Sequence, residues 1–242
     1  MVRVVKKNKM KVALMLTGLA RKVQEGYDGY WKHIIDNYNV DLYLHTWYSK
    51  PDGITNHEDS DDVLKVYSKH GPNYLYIQNP FPFTEYREGI DNPNNDKSRP
   101  LEDFDVYGNF RCFPMFYTWE STYKHILNSD VNYDCVIRSR YDIAGTPINL
   151  HKLDLNKINT SNFHWRGAET HDDNMCIANQ ENSNKLFSNI FTDIVSYHKK
   201  LGYINGAEHN FTDYLKRQDL YKFSTKSDEI NFSLLRDNKL WF

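Results

Sequence analysis

The sequence predicts an α/β fold built on an open, mostly parallel sheet. Strand-length apolar runs, KVALMLTG at 11–18 and VDLYLHTW at 40–47, alternate with stretches of helical period. The first eighty residues then read strand, helix, strand, helix, strand. Parallel strands need such crossovers, and these close right-handed. The later half carries shorter strand signals between helices, so a Rossmann-like N-terminal half passes into a more mixed sheet.

Taken in order, 11–18 ends at Gly18 and has the continuous apolar character of a strand buried on both faces. Tyr27, Tyr30, Trp31, Ile34, Ile35 and Tyr38 recur at helical spacing. Residues 40–47 are the second strand. A short helix over 59–70 opens at Ser60 or Asp61 and stops at Gly71. Residues 74–78 are the third strand. The stretch 80–110 holds four prolines and the polar run DNPNNDKSR, and is expected to be a long loop or lid. A helix returns over 112–128, with Pro114 in its first turn and Met115, Trp119, Tyr123, Ile126 and Leu127 inward. CVIRSRYDI at 135–143 is read as one strand. Further strands are expected at 163–166, 174–178 and 230–235, and helices at 186–198 and 207–216. With no repeat and no linker, residues 1–242 are expected to form a single domain.

Composition excludes several classes. At 40% hydrophobic and 15% aromatic residues, the chain can bury a core and is not a disordered sequence. A formal charge of −2 leaves no basic field for nucleic acid. No apolar run approaches the roughly 20 residues of a membrane span, and the apolar stretch after the basic start is too short for a secretory signal. Cys112, Cys135 and Cys176 are far apart and form no CxxC pair, so core packing in a reducing, cytoplasmic setting is expected.

In sheets of this type ligands bind beyond the carboxyl ends of the strands. Four segments fall there. In Thr17-Gly18-Leu19-Ala20-Arg21, Gly18 permits a tight turn whose N–H groups, with Arg21, suit a phosphate or a ribose. It is neither a Walker loop nor a GxGxxG turn. Asp41, Tyr43, His45 and Trp47 share a strand face; they line a cleft, or His45 is a satisfied core histidine. Arg138, Arg140 and Asp142 alternate on the predicted strand. Two guanidiniums and a carboxylate are costly to bury unless paired or liganded. A diphosphate with a divalent cation satisfies all three, and so does an internal Arg–Asp pair. In His171-Asp172-Asp173-Asn174 adjacent acids point to opposite sides, so one of them is available as a general base. Glu208, at a helix start, is a second candidate.

The ordered set TGLAR, DLYLHTW, YDCVIRSRYDI and HDDNMCIAN resembles a family of glycosyltransferases of GT-A fold, associated with bacterial capsule or lipopolysaccharide synthesis and with large DNA viruses. The resemblance spans roughly 11–215, loosely between motifs. It implies a nucleoside-diphosphate sugar donor and a glycan or glycolipid acceptor. Thr17, Gly18, Arg21, Arg138, Arg140 and Asp142 are then expected on the donor, Mn²⁺ or Mg²⁺ on Asp142, and, for an inverting transfer, Asp173 as the base with Glu208 second; inversion and retention both stay open. GT-A enzymes commonly carry Asp-x-Asp where this chain has Arg140-Tyr141-Asp142. Either Asp142 holds the cation alone with waters, or Arg140 takes over part of its charge. Asp61-Asp62 and the run 102–105 are further acids. Two rival readings are a phosphoadenosine-dependent sulfotransferase, which needs arginines but no metal, and a non-catalytic glycan-binding module.

Overall fold

A computed structural model describes residues 9–51, 58–81, 83–90, 112–162 and 169–235. Strands β1 (Lys11–Gly18), β2 (Asn39–Trp47), β3 (Tyr74–Gln78) and β4 (Cys135–Ser139) are mutually parallel. β6 (Ile158–Ser161), β7 (Cys176–Ala178) and β8 (Ser224–Ser227) complete the sheet, and β7 runs antiparallel to both β4 and β6. Among the described residues the order is β3-β2-β1-β4-β7-β6-β8. β5 (Ile143–Gly145) and β9 (Phe232–Leu234) pair apart from it. The parallel half and mixed remainder are those the sequence predicts.

Strand alternation divides the core in two. Ala13, Met15, Tyr43, Trp47 and Val136 face one side, under α5 (Cys112–Leu127), α6 (Gln180–Phe187), α7 (Ile190–Leu201) and α8 (Ala207–Arg217). Val12, Leu14, Leu16, Leu42, Leu44 and Ile137 face the other. There they meet α1 (Val23–Gly26), a π turn (Tyr27–Trp31), α2 (Lys32–Asn37) and α3 (Asp61–Tyr67). The result is a helix–sheet–helix sandwich. The cysteines at 112, 135 and 176 are buried and free, as core residues.

Several expectations need correction. CVIRSRYDI is not one strand: pairing with β1 stops at Ser139, and β5 joins a different sheet. The helix expected over 186–198 is two. Asn179 caps α6 by accepting from the Asn182 N–H (2.9 Å), and Glu120 of α5 takes the Thr192 N–H (3.0 Å) in the first turn of α7. That second cap comes from a remote residue, so the local sequence carries no sign of it. Leu127 is exposed rather than inward, and Phe113 and Phe116 fill the core instead. β6 and β8 are polar (INTS and STKS) and gave no strand signal. Of the expected loop, 83–90 contain a short helix, α4 (Thr84–Arg87). Residues 91–111, the acidic run 102–105 and the strand expected at 163–166 lie outside the described residues. No helix among the described residues is long and apolar enough to cross a membrane.

Candidate active site

β1 is flanked by β2 on one side and β4 on the other, so the crossover reverses there. Ligands of open α/β sheets sit at such a switch point. The carboxyl ends of β1 and β4 share this sheet edge with the amino end of the antiparallel β7. The edge therefore gathers Thr17, the segment Arg138–Asp142 and the turn His171–Asn174.

The two arginines part company. Arg138, still within β4, is 1% exposed. Its guanidinium carbon lies 3.6 Å from the Trp119 ring centre, Nε and Nη2 donate to Thr17 Oγ1 at 3.4 Å, and Nη1 donates to the Asp173 carbonyl. Burial pulls its pKa below the ordinary arginine value. A ligand does not reach it without rearrangement. Its contacts instead tie the end of β1 to the acid turn.

Arg140 lies beyond the strand, with 23% of its side chain exposed. Nε and Nη2 donate to the two oxygens of Asp142 at 2.8 and 2.7 Å, and Nη1 donates to Asn174 Oδ1 at 3.2 Å. Asp142 is 2% exposed and sits behind the guanidinium. Residues two apart can bond each other because the alternation ends at Ser139. Tyr141 between them is anchored by its hydroxyl, which donates to the carbonyls of Leu16 (3.0 Å) and His45 (3.1 Å). Gly26 packs against this turn so closely that a Cβ there would lie 1.9 Å from the Tyr141 carbonyl oxygen.

A divalent cation does not fit this donor set. Both oxygens of Asp142 are engaged by Arg140, and position 140 supplies a positive charge where a second acid would stand. Among the described residues no three His, Cys, Asp or Glu side chains are placed to hold a metal ion. Asp61 and Asp62 pair with Lys50 and Lys65.

The acid turn is held from three elements. His171 Nδ1 bonds Thr160 of β6 and Nε2 bonds Ser224 of β8, each at 2.9 Å, while its backbone N–H donates to Thr212 Oγ1 of α8 (2.8 Å). Ser224 Oγ also donates to the Tyr221 carbonyl at 2.7 Å. Burial lowers His171 to about 4. Asp172 accepts from Ser161 Oγ (2.6 Å), Asn174 Nδ2 (2.5 Å) and the Asn174 N–H (3.2 Å). The carboxylate of Asp173 accepts no hydrogen bond from the described residues. Burial, then the charges of Asp172 and Glu208, push it up to about 7, against the pull of Arg138 and Arg140. Glu208, in the first turn of α8, thus acts on Asp173 through its charge.

The remaining residues sit as follows. Gly18 has φ +115°, open to glycine and strained for other residues. Arg21 lies half-buried on the turn after it. The first N–H of α1, from Val23, is taken by Glu58 Oε2 at 3.0 Å. His45 is a core histidine, bonded through Nε2 to Gln78 (2.8 Å) and packed between Trp47 and Tyr76; burial lowers it to about 4. The sequence reading did not single out Asn174 or the contact of Trp119 with Arg138. Asn174 stood beside the acids as the only cue, and Trp119 read as an ordinary inward helix residue.

No family model matches the chain, and no curated protein matches it. Among solved structures it is similar to the apo form of mouse xyloside xylosyltransferase 1. That match has 9% identity over 90% of this chain and 85% of that one, with a TM-score of 0.46. It is also similar to the apo form of the glycosyltransferase GlyE of Streptococcus pneumoniae TIGR4. Here identity is 13% over 91% of this chain, TM-score 0.45, and the overlap spans 46% of that chain.

Proposed function

We propose that the chain is a glycosyltransferase that moves a sugar from a nucleoside-diphosphate donor to a hydroxyl of a glycan or lipid-linked glycan. One observation supports this most: a fixed guanidinium and a buried carboxylate raised to about 7 share one sheet edge at the switch point. Glycosyl transfer needs both, a cation for the leaving diphosphate and a base for a weak hydroxyl nucleophile. The acceptor oxygen bonds to the anomeric carbon while the bond from that carbon to the diphosphate oxygen breaks. Asp173 takes the hydroxyl proton, and the diphosphate leaves with the electron pair, facing Arg140. Gly18 and Arg21, on the turn after β1, are assigned to the nucleotide side, whereas Thr17 is 1% exposed and its hydroxyl holds Arg138 rather than the ligand. Asp172, already committed to Ser161 and Asn174, is not the base.

Two measurements test this. A thermal-shift panel of UDP, GDP, CMP, dTDP and phosphoadenosine phosphate separates the readings. A ligand at a hundred times its Kd stabilises by about 2.7 kcal/mol, roughly 5–10 °C in a chain of this size. A shift with a nucleoside diphosphate is expected. A shift with phosphoadenosine phosphate alone points to sulfuryl transfer, and no shift at all to a binding module. Asp173→Asn is expected to lower kcat about a hundredfold or more with donor affinity unchanged, and Asp172→Asn to do less. Wild-type turnover should climb with pH through about 7 as Asp173 ionises. Equal effects of the two substitutions would remove Asp173 from the role and leave Glu208 next.

A further inference from the structure

We propose that the guanidinium of Arg140 is itself the cation that receives the donor's diphosphate, without a divalent metal, and that Asp142 and Asn174 are the positioning residues that aim it. This rests on the glycosyl-transfer reading. A guanidinium carries five N–H donors in a planar fork. Three are used: Nε–H and one Nη2–H on Asp142, one Nη1–H on Asn174. The two left over, one on each terminal nitrogen, have no partner among the described residues. One N–H on each terminal nitrogen is a pair suited to two oxygens of one phosphate.

Asn174 fixes the aim from the other side. Its Nδ2 donates to Asp172 (2.5 Å) and its Oδ1 accepts from Arg140 (3.2 Å). A flipped amide would set its NH₂ against the guanidinium and its oxygen against a carboxylate, so one orientation is enforced. Asp172 is pinned in turn by Ser161. The guanidinium is therefore oriented before any ligand arrives and needs no reorganisation as charge develops on the leaving group. With Asp142 buried behind it, a ligand coming from solvent meets Arg140 first. For Asp142 to hold a metal it would have to release Arg140, leaving two cations side by side.

The test is calorimetric titration of the intact protein with pyrophosphate and with UDP, GDP and dTDP, in EDTA and in Mn²⁺, with melting temperatures recorded for every variant. Wild-type Kd is expected to agree within about twofold between the two conditions. Arg140→Gln should weaken diphosphate binding about tenfold or more in both, the loss of a charge-assisted fork, with nucleoside affinity unchanged. Asn174→Ala should weaken it several-fold. Arg140→Asp places two acids two residues apart. It should lose diphosphate binding in EDTA and regain it with Mn²⁺, a conversion no general structural role predicts. If that variant fails to fold, Arg140→Gln decides. Wild-type binding that appears only with Mn²⁺, or Arg140→Gln binding as tightly as wild type, overturns the proposal and leaves glycosyl transfer standing. Failure of every diphosphate to bind overturns both.

Discussion

The guanidinium carbon of Arg138 lies 3.6 Å from the centre of the Trp119 ring, and this stack is the floor of the site. Above it the same guanidinium holds Thr17 and the carbonyl of Asp173. Among the described residues Arg138 has no carboxylate ion pair; the charges of Asp173 and Asp172 act on it, and the ring face is the partner that covers its guanidinium. Such contacts are worth about 2 kcal/mol or more when desolvated.

Trp119→Ala removes that partner and leaves a cavity in a layer where Phe187 and Phe211 also touch the ring. The expected loss is about 3–5 kcal/mol in urea unfolding. Trp119→Phe keeps a ring face and most of the volume and should lose much less. Equal losses would mean that Arg138 gains nothing from the ring.

Asp173 sets a pH signature on stability. Its folded pKa, about 7, lies above its unfolded value, so ionising it opposes folding. Between roughly pH 4 and pH 7 the folded state holds the extra proton, and stability falls as pH rises. Asp173→Asn should match wild type near the low end and melt several degrees higher at about pH 8. His45 and His171, both lowered to about 4, work the other way. They gain protons on unfolding, so their contribution rises from about pH 4 to about 6.5. In Asp173→Asn that slope stands uncovered. Melting temperatures across the range check both; a variant no more stable than wild type at the alkaline end contradicts the raised pKa.

Gly26→Ala probes the turn from behind. The added methyl would meet the Tyr141 carbonyl oxygen at 1.9 Å, so backbone must move. Overpacking of this kind costs about 1–3 kcal/mol. Because the displaced carbonyl lies between Arg140 and Asp142, nucleotide affinity should fall together with stability. Urea unfolding and titration of the same preparation decide. Lost stability with affinity intact would show that the turn yields without moving Arg140.

How much of this was legible depended on range. β1 and β3 match the predicted bounds because their apolar runs end at local signals, and Gly71 (φ +59°) closes the turn after α3 as expected. β4 was overrun because Arg140, Tyr141 and Asp142 keep an alternating pattern on paper. What ends the strand is the bond of Arg140 to Asp142 and the reach of the Tyr141 hydroxyl to two other strands, both tertiary facts. The segments carrying the site residues were visible as polar groups at strand ends. The division of labour between Arg138 and Arg140 was not, since two arginines on one face read as equivalent until burial tells them apart.

The antiparallel course of β7 has one more consequence. A parallel strand would bring to this edge the loop that follows it; β7 brings the loop that precedes it. The Arg140–Asp142 pair and the acid turn are thus delivered by segments arriving from opposite directions and joined across the edge by hydrogen bonds from Arg138 and Arg140. Changes in length between β6 and β7 would leave the pairing of β4 with β1 in register. Variation ahead of the acid turn is thereby decoupled from the segment that holds Arg140 and Asp142, and relatives of this chain are expected to differ in length between β6 and β7 more freely than between 135 and 145.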